Sequence, residues 1–161
     1  MALTQTVYLT KANVPSRELL EAAIRRLGFD LKIDPAYKPF ESEGFLPCTF
    51  AGQNSGFEIH FGASYEATTT FPRLKNEIGP RDVAIRIRWG GDMTECICVL
   101  VFSAALASEF GAVVHYENDD SIISKEELLS QISAAMASPR LQRRSGRPAQ
   151  IETKNPWWKL W

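Results

Sequence analysis

Charged side chains on two predicted strands are the first residues in this sequence that could do chemistry. Both strands alternate apolar and polar residues. Glu58 and His60 therefore point away from the apolar side chains of the first strand, and Arg86 and Arg88 point away from those of the second. If the two strands are neighbours in one sheet, these side chains form a charged ladder on its polar face. Arginines on a rigid strand can hold carboxylates through paired hydrogen bonds, so this face is either a recognition surface or a solvated sheet face.

An acidic run precedes the last predicted helix and contains Glu117, Asp119 and Asp120, with an asparagine between the first two. Asn and Asp favour turns, so one interpretation is a hairpin turn, and the spacing is not that of a calcium-binding loop. The other interpretation is a binding surface, because acidic surfaces steer association with basic partners such as nucleases.

The C-terminal segment holds three of the four tryptophans, Trp157, Trp158 and Trp161, in its last five residues. Indole side chains dominate binding hot spots, so we expect them to pack against the protein's own domain, a second copy in a homodimer, or a different molecule. The arginines that precede them would also suit single-stranded nucleic acid. The acidic charge of the rest of the chain makes nucleic acid the less favoured partner.

Recognisable catalytic motifs are absent from the sequence. It contains no GxxxxGK[ST] phosphate loop, no HExxH pair and no GxSxG elbow. His60 and His115 lie on predicted strands with too few partner groups for a hydrolase triad, and the cysteines lack the spacing of a redox or zinc motif. We therefore expect a protein that is not an enzyme and uses no metal or cofactor. The alternative is a small enzyme or ligand-binding domain of unknown substrate.

Length and charge indicate one folded body and a distinct tail. A chain of 161 residues suits a single domain, which we expect to span 1–138. That segment has 12 basic and 18 acidic side chains, a net charge of −6, whereas 139–161 has 6 and 1, a net charge of +5. There is no signal-peptide pattern, and the longest apolar stretch is too short to cross a bilayer, so we expect a cytoplasmic protein without membrane contact.

Hydrophobic periodicity predicts the element order β-α-β-β-β-β-α-β-α, and hence an α+β fold. The pattern favours an antiparallel sheet with about three helices packed mainly on one face. A helix at 94–110, apolar nearly all round, should lie in the centre of the core. The predicted connections are a loop at 36–47, a hairpin turn at 52–56, and an irregular segment at 62–80 with weak pairing near 68–71. The predicted strands are 6–10, 29–33, 48–50, 56–61, 82–89 and 112–116.

The second half of the sequence carries a family resemblance. A long Ala-rich helix ends in Phe110-Gly-Ala-Val-Val-His-Tyr116, an acidic turn and a capped helix follow, and the chain finishes Asn155-Pro-Trp-Trp-Lys-Leu-Trp161. From about Val83 onward the chain resembles small bacterial proteins, many of which are similar to immunity proteins of contact-dependent and type VI toxin systems. The resemblance implies a cytosolic protein that neutralises a cognate toxin by blocking its active site or a necessary surface. It transfers no catalytic residues, because immunity proteins act by binding.

Overall fold

The computed structural model describes residues 2–138, so the tail with Trp157, Trp158 and Trp161 lies outside the described residues. The strands are β1 (Leu3–Leu9), β2 (Leu31–Ile33), β3 (Gly44–Phe50), β4 (Gln53–Ala63), β5 (Val83–Trp89), β6 (Val113–Tyr116) and β7 (Ser121–Ile123). The helices are α1 (Arg17–Arg26), α2 (Ser64–Thr70), α3 (Leu74–Ile78), α4 (Met93–Glu109) and α5 (Lys125–Met136). Within the described residues the strands form one antiparallel sheet of order β2-β3-β4-β5-β1-β6-β7, which confirms the predicted α+β class.

The inner face of the sheet, which packs against α1, α4 and α5, carries the main hydrophobic core. Alternate residues of the central strands, such as Val7, Ile59 and Ile85, point into this core because successive side chains of a strand face opposite ways. Eleven of the 17 residues of α4 are buried, including Phe102, which packs edge-on against Phe57 with the ring centroids 5.3 Å apart. The central burial predicted for this helix is confirmed.

Capping residues fix where the three inner helices begin. The Ser16 hydroxyl accepts a hydrogen bond from the Leu19 amide at 3.2 Å, and the Ser124 hydroxyl accepts one from the Glu127 amide at 3.1 Å. Asp92 accepts bonds of 2.9 and 3.1 Å from two amides in the first turn of α4. These bonds satisfy amides that have no partner within the helix, and Ser and Asp are among the residues preferred at this position.

The segment 62–80 departs from its predicted irregular structure, since it contains the two short helices α2 and α3. The prediction of weak strand pairing near 68–71 is wrong. A run of threonines disfavours a helix, and the hydroxyls of Thr68 and Thr69 donate to the Tyr65 carbonyl oxygen at 2.8 and 3.3 Å. Local propensity is therefore overridden by packing against the sheet.

That packing forms a second, smaller apolar cluster on the sheet face opposite α1, α4 and α5. Leu74 and Ile78 of α3 are buried against Tyr8 of β1 and Ala84 of β5. The three helices predicted on one face are present, and α2 and α3 add cover to part of the other face.

The β3–β4 hairpin differs from its predicted position. The chain turns at Ala51 and Gly52, whose φ angles are 50° and 81°, as a two-residue hairpin turn requires. Residues 53–56, predicted as the turn, belong to β4, and 44–47, predicted as loop, belong to β3. An alanine such as Ala51 does not indicate a left-handed turn residue in the sequence, whereas Asn54 and Gly56, which follow the turn, are residue types that do. The three-residue strand β7 was also not predicted.

Among the residues described, no helix combines the length and apolar character needed to span a membrane.

The three cysteines, Cys48, Cys96 and Cys98, are free thiols. Burial raises the pKa of Cys96 to about 11, and a hydrogen bond with Cys98, followed by burial, raises the pKa of Cys48. Thiols held in the protonated form are poor nucleophiles and metal ligands.

Candidate functional site

The outer face of the sheet, opposite α1, α4 and α5, carries most of the residues that the sequence singles out. Its one end, around Tyr8 and Ala84, is covered by α2 and α3. Beyond that cover, β4 and β5 carry charged side chains on this face, and His60 and Arg86 are exposed there. We call this region the outer polar patch, and its members are Glu58, His60, Arg86, Arg88 and Glu117.

Strand register brings the first four members together as the sequence predicted. Strands β4 and β5 are antiparallel neighbours, with Glu58 opposite Arg88 and His60 opposite Arg86. On the other side of β5, Thr6 of β1 lies opposite Arg86. The charged side chains therefore occupy adjacent positions on two central strands, which are the most rigidly supported part of a sheet.

Arg86 does not pair with its cross-strand neighbours but with Glu117. Its Nε and Nη2 atoms donate to the two carboxylate oxygens of Glu117, each at 3.2 Å, in a bidentate pair. The Thr6 hydroxyl donates to the same carboxylate at 2.5 Å. The Glu117 side chain is only 16% exposed, while that of Arg86 is 48% exposed. One buried acid thus fixes an arginine whose guanidinium still reaches solvent.

His60 also finds its partner outside the ladder. Its Nδ1 lies 2.7 Å from a carboxylate oxygen of Glu43, in the loop that leads into β3. Both side chains are more than half exposed, at 57% and 71%. Sequence reasoning missed Glu43, because nothing in its local sequence indicates that the loop returns beside β4.

Glu58 and Arg88 form the less exposed row of the patch. The Oε2 atom of Glu58 is buried without a hydrogen-bond partner among the described residues. Burial, followed by repulsion from Arg86, lowers the pKa of Arg88, while attraction from Glu58 and Glu117 opposes that decrease.

The acidic run forms the β6–β7 turn, and its polar groups are engaged inside the protein. The Asn118 side-chain oxygen accepts from the Thr4 amide at 2.8 Å, and Asp119 accepts from the Ser121 hydroxyl at 2.5 Å. Asp120, whose φ is 52°, closes the turn. The predicted hairpin turn is therefore confirmed.

Asp120 joins the turn to the cover formed by α2 and α3. One carboxylate oxygen lies 2.8 Å from Nε2 of His115, and the other accepts from Arg73 at 2.6 Å. The bond from Arg73, followed by the bond from His115, lowers the pKa of Asp120. His115 is fully buried, with the Phe71 ring edge-on at 4.8 Å between centroids. This histidine therefore holds structure together at the edge of the patch.

A shallow pocket lies beside the sheet, and its lining includes the polar residues Asp34, Ser42 and Glu43. Its volume is about 120 Å³, and it opens between the loop after β2 and the start of β3, next to Tyr37, Glu43 and Phe45. Neither histidine and no arginine lines it. Within residues 2–138 no group of His, Cys, Asp and Glu side chains could hold a metal ion.

Comparison with known proteins adds no further assignment: no protein-family model, no curated protein and no solved structure matches this chain.

Proposed function

We propose that this chain is a cytosolic bacterial immunity protein that binds a cognate toxin domain and blocks it, with the outer polar patch as the contact surface. The observation that carries the proposal is the bidentate Arg86–Glu117 pair, which fixes a half-exposed guanidinium in the middle of a rigid sheet. A fixed arginine loses little side-chain entropy when it meets a carboxylate of a partner.

The charges of the patch favour recognition over reaction. It combines the acids Glu58 and Glu117 with the bases His60, Arg86 and Arg88 at fixed positions, so a partner binds best if its own charges are arranged in the complementary order. Arg86 and His60 each have an acid beside them, Glu117 and Glu43, which orients the side chain without covering it. Such surfaces contribute to specificity and to the rate of association more than to affinity alone.

The class of partner follows from the net charge together with the family resemblance. The body carries six more acidic than basic side chains, which favours a basic protein such as a toxin that acts on nucleic acid or an acidic substrate. Direct binding of nucleic acid would depend on 139–161, which lie outside the described residues.

Binding to the protein encoded beside this gene tests the proposal. We expect the purified pair to form a complex by calorimetry, and Arg86→Ala to raise the Kd by about 10-fold or more. The matched control is Arg26→Ala, since Arg26 also pairs with a glutamate through two nitrogens, to Glu109 between α1 and α4. This control should leave the Kd within about 2-fold.

Two outcomes would contradict the proposal. If the wild-type chain fails to bind the product of either flanking gene, the immunity function is wrong. If Arg86→Ala and Arg26→Ala change the Kd equally, the outer polar patch is not the contact surface. Cell survival on expression of the same gene product, with and without this chain, gives an independent readout of neutralisation.

A further inference from the structure

The cover on the outer face is the connection between β4 and β5, residues 64–81, and its two ends meet. The Ser64 amide donates to the Asp82 carbonyl oxygen at 3.0 Å, and the Ser64 hydroxyl donates to the Arg81 carbonyl oxygen at 2.8 Å. Strands β4 and β5 stay paired right up to this closure. The cover can therefore move away from the sheet without breaking any strand pairing.

The contacts that hold the cover on the sheet are weak ones. Its buried apolar cluster has four members, two from α3 and two from the sheet. The ion pair from Arg73 to Asp120 is made by a side chain that is 85% exposed, and exposed ion pairs contribute little to stability. Neither α2 nor α3 has a side-chain cap at its N-terminus, unlike the three inner helices. The cover is therefore less stable than the inner helical layer.

Two fully buried polar side chains, Tyr8 and His115, lie beneath the cover. Tyr8 packs in the cluster with α3, and the ring of His115 packs against Phe71. The Tyr8 hydroxyl and Nδ1 of His115 have no hydrogen-bond partner among the described residues. The Thr6 hydroxyl, on the same face of β1 as Tyr8, gives its own proton to Glu117. A buried polar atom without a partner destabilises the closed state, because water bonds to that atom once it is exposed.

We propose that the cover is a lid, which opens as a unit while the sheet and the inner helices stay folded. The apolar cluster and the ion pair of Arg73 favour the closed state, and the two unpartnered polar atoms favour the open one. Thr6 lies between Arg86 and His115 in the strand register, so opening uncovers His115 and Tyr8 close to Arg86. The lid thus controls how much apolar surface borders the outer polar patch. This device does not depend on the proposed toxin, since it belongs to the unbound protein.

Amide hydrogen exchange of the full chain, followed by NMR, tests the lid. The Phe71 amide donates to the Ala67 carbonyl oxygen at 2.8 Å, and it should exchange at least about 10-fold faster than amides in the middle of α4. Tyr8→Phe keeps the ring and removes the unpartnered hydroxyl, so it should slow the exchange of the Phe71 amide about 5-fold or more. Arg73→Ala should speed that exchange by about 2- to 5-fold. The matched control is Arg26→Ala, which removes an ion pair between α1 and α4 and should leave the rate unchanged.

Three results would overturn the inference. If the Phe71 amide exchanges as slowly as those of α4, the cover opens only when the whole protein unfolds. If Tyr8→Phe leaves the exchange unchanged or speeds it, the hydroxyl does not favour opening, and local fraying of α2 explains the fast exchange. If Arg73→Ala has no larger effect than Arg26→Ala, the ion pair does not close the lid. Each rate is compared with that of α4 in the same variant, so a global loss of stability is not mistaken for opening.

Discussion

The two faces of the sheet are built in different ways. The inner face is one continuous apolar cluster under three capped helices, and its members come from every strand. The outer face has a small apolar cluster under α2 and α3 at one end and charged side chains on the neighbouring parts of β4 and β5. An apolar face is stabilised by any neighbour that packs closely against it. A charged face is stabilised only by a neighbour whose charged groups lie opposite its own. The difference places stability mainly on one side of the molecule and, under the proposed function, specificity on the other.

The largest expected effect is on the inner face, where Leu100 of α4 is 4% exposed. Leu100→Ala should lower the free energy of unfolding by about 2–5 kcal/mol, because it removes buried methyl groups and leaves a cavity. Chemical denaturation measures this value. A loss below about 1 kcal/mol would contradict the assignment of the core to this face.

The cover on the outer face should be weaker. Leu74 of α3 is 2% exposed, but its cluster has only four buried members, so the site can collapse more readily after truncation. We expect Leu74→Ala to cost about 2 kcal/mol, at the low end of the range for such changes. Denaturation of both variants under one condition compares the faces directly. An equal or larger loss for Leu74→Ala would remove the distinction drawn between them.

The inner face was readable from the sequence because its signals are local. Helical periodicity, the caps at Ser16, Asp92 and Ser124, and the alternation in β5 each lie within a few residues. The helices α2 and α3 were not predicted, since the threonine run of α2 disfavours a helix, α3 has only five residues, and their packing partner Tyr8 is distant in sequence. Short elements supported by long-range packing give a weak local pattern.

The candidate site was predicted as a set of positions but not as a set of contacts. Alternation placed Glu58, His60, Arg86 and Arg88 on one face, and the register of β4 and β5 confirms that they are adjacent. The partners of His60 and Arg86 lie 17 and 31 residues away in sequence, where sequence spacing carries no information.

The smallest expected effect concerns the charges at the edge of the patch, and it depends on pH. Asp120 faces Arg73 and His115, and the pKa of its carboxyl is lowered in the folded protein. The unfolded chain therefore takes up this proton at a higher pH, near the ordinary value of about 3.9. The stabilisation by Asp120 is complete above that value and is lost as pH falls through the lower folded pKa.

Asp120→Asn keeps a residue that tolerates the left-handed turn while removing the charge. Its Tm should lie below that of wild type at pH 6, and the difference should close as pH falls below about 4. Glu109→Gln is the comparison in the helical layer, since a hydrogen bond from Arg26 lowers the pKa of Glu109. Because Glu109 has one hydrogen-bond partner that lowers its pKa and Asp120 has two, Glu109→Gln should lower the Tm at pH 6 by less than Asp120→Asn does. A Tm difference for Asp120→Asn that stays constant from pH 6 to pH 2.5 would show that the turn, and not the charge, holds this edge.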